Sequence, residues 1–219
     1  MNVSHTIKVF VLGVIASLSL SACNGILEDI YDEPLKEEKN EYGFIVIDNK
    51  TKRGTIYIDA TSYQEWHYID LNQKEVTTTA IDGKKPEKWD FAIHRYDVKT
   101  NGGAVAECGA TDFNSLLTIS SIPIEDFIED EWTTNRITID MSQMMNGIIS
   151  YAEDYYNPCL SKWLNVDTST MPPIYTLSGK VYILRCVDGS YAALYLRNFM
   201  NNAAVKGFMT IDYYYPIEL

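Results

Sequence analysis

From residue 42 onward, apolar, β-branched and aromatic residues come in short alternating runs, each closed by polar or turn-forming residues. A period of two is the mark of half-buried strands. Residues 42–48 and 55–59 flank the polar stretch 49–54 and predict a strand pair. Residues 66–71 and 75–79 flank Asn72, Gln73 and Lys74, and 89–94 is expected to continue that meander. Further on, residues 180–185 and 191–196 flank Asp188-Gly189, a strong hairpin signal, and 207–213 reads as another strand. Helical periodicity is weaker. Met145, Ile148, Ile149 and Ala152 fall at i, i+3, i+4 and i+7, with Ser142 as an N-cap candidate, so one short helix is expected within 142–155. Another turn or two is expected within 198–205. The pattern predicts a mainly β protein, a single antiparallel β-rich domain with short helical insertions.

The first residues follow a different logic. Lys8 precedes an apolar run over 9–20 that is too short to span a bilayer, and Leu20-Ser21-Ala22-Cys23 then reads as a lipoprotein signal. Residues 1–22 are therefore expected to be a signal peptide. Cys23 would become the lipidated first residue of the mature chain, with acyl chains contributing about 0.8 kcal/mol per buried methylene. Residues 23–41 carry Glu28, Asp29, Asp32, Glu33, Glu37, Glu38 and Glu41 with few apolar positions, an acidic solvated tether. Residues 42–219 are the folded domain.

Charge narrows the partners. The formal charge is −12, and losing Lys8 with the leader would take it to −13, which argues against nucleic acid. Cys108, Cys159 and Cys186 allow at most one disulfide, and small buried thiols are the commoner explanation. Zinc has little support, because His67 and His94 are isolated and no cysteine pair sits at ligand spacing. There is no GxSxG elbow, HExxH, phosphate-binding glycine loop or dinucleotide fingerprint, so no enzymatic activity is expected.

One passage mixes aromatics, charges and a double glycine: WDFAIHRYDVKTNGG, residues 89–103. Alternation puts Trp89, Phe91 and Ile93 on one face and Asp90, Ala92 and His94 on the other. His94 could ligate a metal. The favoured reading is a hydrogen-bonded network of His94, Arg95 and Asp97 bracing the turn at Asn101-Gly102-Gly103. This passage, with Val166-Asp167-Thr168-Ser169-Thr170-Met171-Pro172-Pro173 and the strands 191–196 and 207–213, resembles the HmuY family of haem-binding lipoproteins from Bacteroidetes. The likeness extends over most of the mature chain.

The resemblance implies a haemophore-like protein anchored in the outer membrane and exposed at the cell surface or released. Such a protein takes haem (iron protoporphyrin IX) from host haem carrier proteins and passes it to an outer-membrane receptor. A homo-oligomer stays open. It also implies two axial side chains on the iron, histidines in some members and methionines in others. His5 leaves with the signal, and His67 and His94 lie away from the ligand loops, so the resemblance directs attention to Met171 and to Met144 or Met145. Met144 is preferred because Met145 belongs to the expected helical stripe. Spacing alone equally allows these methionines to be core gap-fillers, as Met200 and Met209 are expected to be. Tyr151, Tyr155, Tyr156, Trp163 and Tyr175 are nearby aromatics, and Arg136, Lys162 and Arg185 are the cations available to propionates. The competing reading is adhesion: the same β domain, binding a glycan or a host protein without haem. A weaker one is an accessory that delivers a substrate to a neighbouring transporter.

Overall fold

The computed structural model describes residues 41–116, 126–170 and 172–218. The signal, Cys23, nearly all of the acidic tether and Met171 lie outside the described residues. The strands are β1 (Gly43–Asp48), β2 (Arg53–Asp59), β3 (Glu65–Asp70), β4 (Glu75–Ala80), β5 (Phe91–His94), β6 (Asp97–Thr100), β7 (Ala104–Glu107) and β8 (Ile128–Glu129). They continue with β9 (Glu131–Asp140), β10 (Ser150–Tyr156), β11 (Leu164–Asp167), β12 (Ile174–Leu177), β13 (Tyr182–Arg185), β14 (Tyr191–Met200) and β15 (Lys206–Ile217). All pairings are antiparallel.

A seven-stranded sheet in the order β1-β2-β15-β14-β13-β7-β8 packs on a four-stranded sheet in the order β4-β3-β5-β6. Between them lies the main core, to which alternate residues contribute: Ile56 and Ile58 from β2, Phe91 and Ile93 from β5, Tyr182 and Leu184 from β13, Met209 and Ile211 from β15. Met200 and Met209 are buried there, as expected. The strands anticipated from alternation are present, but β5 pairs with β3 rather than with β4, so the meander turns back across its middle strand. Cys108, Cys159 and Cys186 are all free thiols, each held above its ordinary pKa chiefly by burial.

The double glycine of the 89–103 passage is the crossing point between sheets, since β6 belongs to one and β7 to the other. Gly102 has φ +68, and a Cβ on Gly103 would stand 2.5 Å from the Arg185 carbonyl oxygen, so the chain passes through a gap only glycine fits. Trp89 sits just before β5 and escapes its alternation: instead of joining Phe91 and Ile93 it packs edge-on against Tyr68 on the opposite face. That face carries Trp66, Tyr68 and Ala92, covered by Ile137, Ala152 and Tyr156 of the β9–β10 hairpin.

The helix expected within 142–155 is not formed; residues 150–156 are strand β10, and only a 3-10 turn, Met144–Asn146, lies before it. The reason is tertiary. Ala152 and Tyr156, four apart, reach one face of a strand as well as of a helix, and pairing with β9 satisfies a whole ladder of backbone groups. Likewise 198–205 continues as strand to Met200 and then turns without helix.

One buried ion pair fixes this hairpin to the four-stranded sheet. Lys99 Nζ lies 2.6 Å from Asp154 Oδ2 and 3.8 Å from the centroid of the Trp66 ring, with the lysine side chain only 1% exposed. Burial pulls the Lys99 pKa down to about 8, against the opposing pull of Asp154. Lys99→Met alone should destabilise the protein by about 3 kcal/mol, because Asp154 would lose its close partner. Adding Asp154→Leu should recover most of that loss. Urea unfolding of the single and double variants tests this, and equal instability in both would refute it.

Candidate ligand-binding cleft between two hairpins

The polypeptide leaving β10 is locked before it can start the next hairpin. Asn157, fully buried, donates from Nδ2 to the Ile128 carbonyl and to Asp130, while its Oδ1 accepts from the amides of Cys159 and Leu160. Its own amide donates to the Val98 carbonyl at 2.6 Å, and the Val98 amide donates to Ser161 Oγ. The 3-10 turn Leu160–Trp163 is thereby pinned along β6, with Trp163 inserted in the main core. Two hairpins, β9–β10 and β11–β12, start from this fixed segment.

Between them lies a cleft of about 560 Å³, within the range of small-molecule and cofactor sites. Tyr96, Pro158 and Ser161 line it from the body, Arg136, Thr138 and Tyr156 from one hairpin, and Leu164, Val166 and Thr168 from the other. Thr138 stands three residues before Met141, the first methionine of the β9–β10 connection, and Thr168 three residues before Met171. Each interval is about 10 Å of extended chain.

The paired methionines fall in that first connection. Met145 is 90% exposed and Met144 is half-buried. The preference for Met144 rested on a helical stripe that the strand β10 replaces, so that argument no longer separates the two. Met171 belongs to the residues outside the description; its chain neighbours on both sides connect β11 to β12.

The aromatics divide. Tyr156 lines the cleft, Tyr175 packs edge-on against Tyr96 and stacks on Phe199, Trp163 is core, and Tyr155 turns away to pack on Trp132. The cations divide too. Arg136 and Lys162 line the cleft, whereas Arg185 lies over the Phe127 ring on β13. Tyr96 and Asp97 were legible only as part of the 89–103 passage; they enter the cleft because the two-residue turn Arg95-Tyr96 pairs His94 with Asp97.

His94 itself is fully buried, with Nε2 3.1 Å from the Tyr63 carbonyl and its ring against Trp66. No cluster of metal-ligating side chains occurs among the described residues. Nor does the favoured network brace the 101–103 turn. Arg95 donates to the Thr61 carbonyl and to Tyr96 Oη, Asp97 accepts from Arg136, and it is Asn101 that binds back to the Trp89 carbonyl.

The arrangement defines a β protein with a cleft between two anchored hairpins. Its family follows from comparison: the HmuY family model matches residues 62–213, and the chain belongs to that family of binding proteins. A Bacteroides vulgatus ATCC 8482 structure, named as an HmuY-like heme binding protein, is 56% identical, with a TM-score of 0.77, over 82% of this chain and all of its own. A Bacteroides fragilis NCTC 9343 structure named as a lipoprotein is 48% identical, with a TM-score of 0.78, over 84% of this chain and all of its own. The apo HmuY analog of Tannerella forsythia shares 25% identity at a TM-score of 0.63, over 74% of this chain and 94% of its own. No curated protein matches the chain.

Burial lowers the His94 pKa to about 4 from the ordinary 6.5. In the window between those values the unfolded chain binds a proton that the native state refuses. The His94 contribution is therefore complete above pH 6.5 and is lost as pH falls toward 4, on the order of 3 kcal/mol in all. Denaturant midpoints across this range should fall in the native protein and fall less steeply in His94→Gln; parallel curves would contradict the assignment.

Proposed function

We propose that this protein is a lipid-anchored, surface-exposed haem-binding protein of the outer membrane that acquires haem from host carriers and delivers it to an outer-membrane receptor. The observation that carries the reading is the cleft between the two hairpins, whose outermost lining residues, Thr138 and Thr168, lead directly into the two methionine-bearing connections. The names of the B. vulgatus and B. fragilis relatives, heme binding and lipoprotein, support it.

The residues suit the group. Tyr96, Tyr156, Leu164 and Val166 of the cleft would face a flat macrocycle, and Met171 together with Met144 or Met145 would supply thioether ligands to its iron. Haem bound this way supplies an iron centre with two soft, neutral ligands, which favour its reduced state. Pro172 and Pro173 restrict the backbone beside Met171 and lower the entropy lost in presenting its sulfur. The anchored 157–163 segment keeps both hairpins at fixed separation, so the cleft is in place before ligand arrives.

Haemin added to the purified mature domain should give a defined Soret band that sharpens and shifts on reduction with dithionite. Met171→Ala should abolish the reduced-state spectrum and weaken binding at least tenfold, and of Met144→Ala and Met145→Ala only one should do the same. No Soret change in either redox state would defeat the proposal, and an unchanged Met171→Ala spectrum would remove Met171 from it. In cells, Cys23→Ser should shift the protein from the membrane fraction to the soluble fraction and end labelling by a palmitate analogue; continued labelling would refute lipidation at Cys23.

A further inference from the structure

A dianionic ligand in a chain of net charge −12 needs local compensation, and the cleft holds cations that can supply it. Its charged lining is Arg136, Lys162 and Asp97, two cations against one carboxylate. Asp97 offsets part of the Arg136 charge and orients its side chain, and Lys162 leaves the lining with one positive charge in excess. Arg136 Nε donates to Asp97 Oδ1 at 2.6 Å, and the guanidinium carbon lies 4.4 Å from the centroid of the Tyr156 ring. The side chain is thus held by an ion pair at one edge and an aromatic face beneath. A guanidinium bound through Nε keeps its end-on edge, Nη1 and Nη2, for a second carboxylate in fork geometry. Lys162, on the pinned turn Leu160–Trp163, lines the same cleft and forms no ion pair among the described residues.

We infer that Arg136, with Lys162 beside it, is the carboxylate-recognising side of this cleft and selects macrocycles bearing free carboxylates over their esters. The inference rests on the haem reading and deepens it. Arg136 receives one carboxylate through its terminal nitrogens, Asp97 and Tyr156 hold the fork in position, and Lys162 contributes a mobile point charge to the other. Arg185, although equally cationic, takes no part because it stands on β13 over Phe127.

Titrating the intact mature protein with haemin and with haemin dimethyl ester, read by Soret absorbance and tryptophan quenching, separates the two ideas. The native protein should bind haemin about tenfold tighter than the diester, the scale of a charge-assisted hydrogen bond. Arg136→Gln should weaken haemin far more than the diester and so lose that preference, and Arg136→Lys should restore only part of it. Lys162→Gln, at an exposed position, should reduce the preference with an unchanged denaturation midpoint, which guards against misfolding of the arginine variants. Equal affinity for both ligands in the native protein, or a preference that survives both glutamine variants, overturns this inference and leaves haem binding standing. Failure of the native protein to bind either ligand overturns both.

Discussion

Lys99 reaches from the four-stranded sheet to Asp154, against the face of Trp66, and the placement of the β9–β10 wall of the cleft follows from that contact. The β9–β10 hairpin is a two-stranded sheet, a unit that is marginal by itself in water. It is held by the small apolar cluster of Trp66, Tyr68, Ala92 and Ile137, and by an ion pair that tolerates little sliding. An apolar patch would allow the hairpin to shift by a residue pair; a charge buried without its partner would not. Register is thus fixed at Asp154, two residues from Tyr156 and on the strand paired with Arg136's own.

Asn157 does the equivalent work for the second hairpin. Its side chain satisfies two amides and two acceptors at once, so the Cys159 and Leu160 amides are paired at the point where the segment turns. The two anchors lie three residues apart in the chain and set the two walls independently. Anchored walls joined to methionine-bearing connections, with Met145 exposed in the first of them, combine a prepared shape with adaptable, unbranched side chains at the rim.

Charge is distributed with the same economy. The chain is strongly acidic, yet the cleft gathers Arg136 and Lys162 with the single carboxylate Asp97 turned to orienting the arginine. Asp97 belongs to the 89–103 passage by which the family is recognised. The passage therefore has two roles: it carries the chain from one sheet to the other at Gly102-Gly103, and through Tyr96 and Asp97 it forms part of the cleft.

Strand positions were readable from the chain because alternation and Asp-Gly turns are local signals, written within a few residues. The family, too, was readable, since 89–103 is contiguous. The segment 142–155 misled because the helical spacing of Met145, Ile148, Ile149 and Ala152 is a local signal that tertiary pairing overrode: Met145 lies in a 3-10 turn, Ala152 in β10, and pairing with β9 decided it. Trp89 took the unexpected face because a residue before a strand is not bound by its pleat. Which of Arg136, Lys162 and Arg185 faces the cleft was likewise beyond local reading. The sequence by itself determined most strands of the two larger sheets, their turns and the family, whose causes are short-range; tertiary structure alone decided β10, strand order, the buried Lys99–Asp154 tie and the company each charge keeps, because those depend on contacts between residues as far apart as 157 positions.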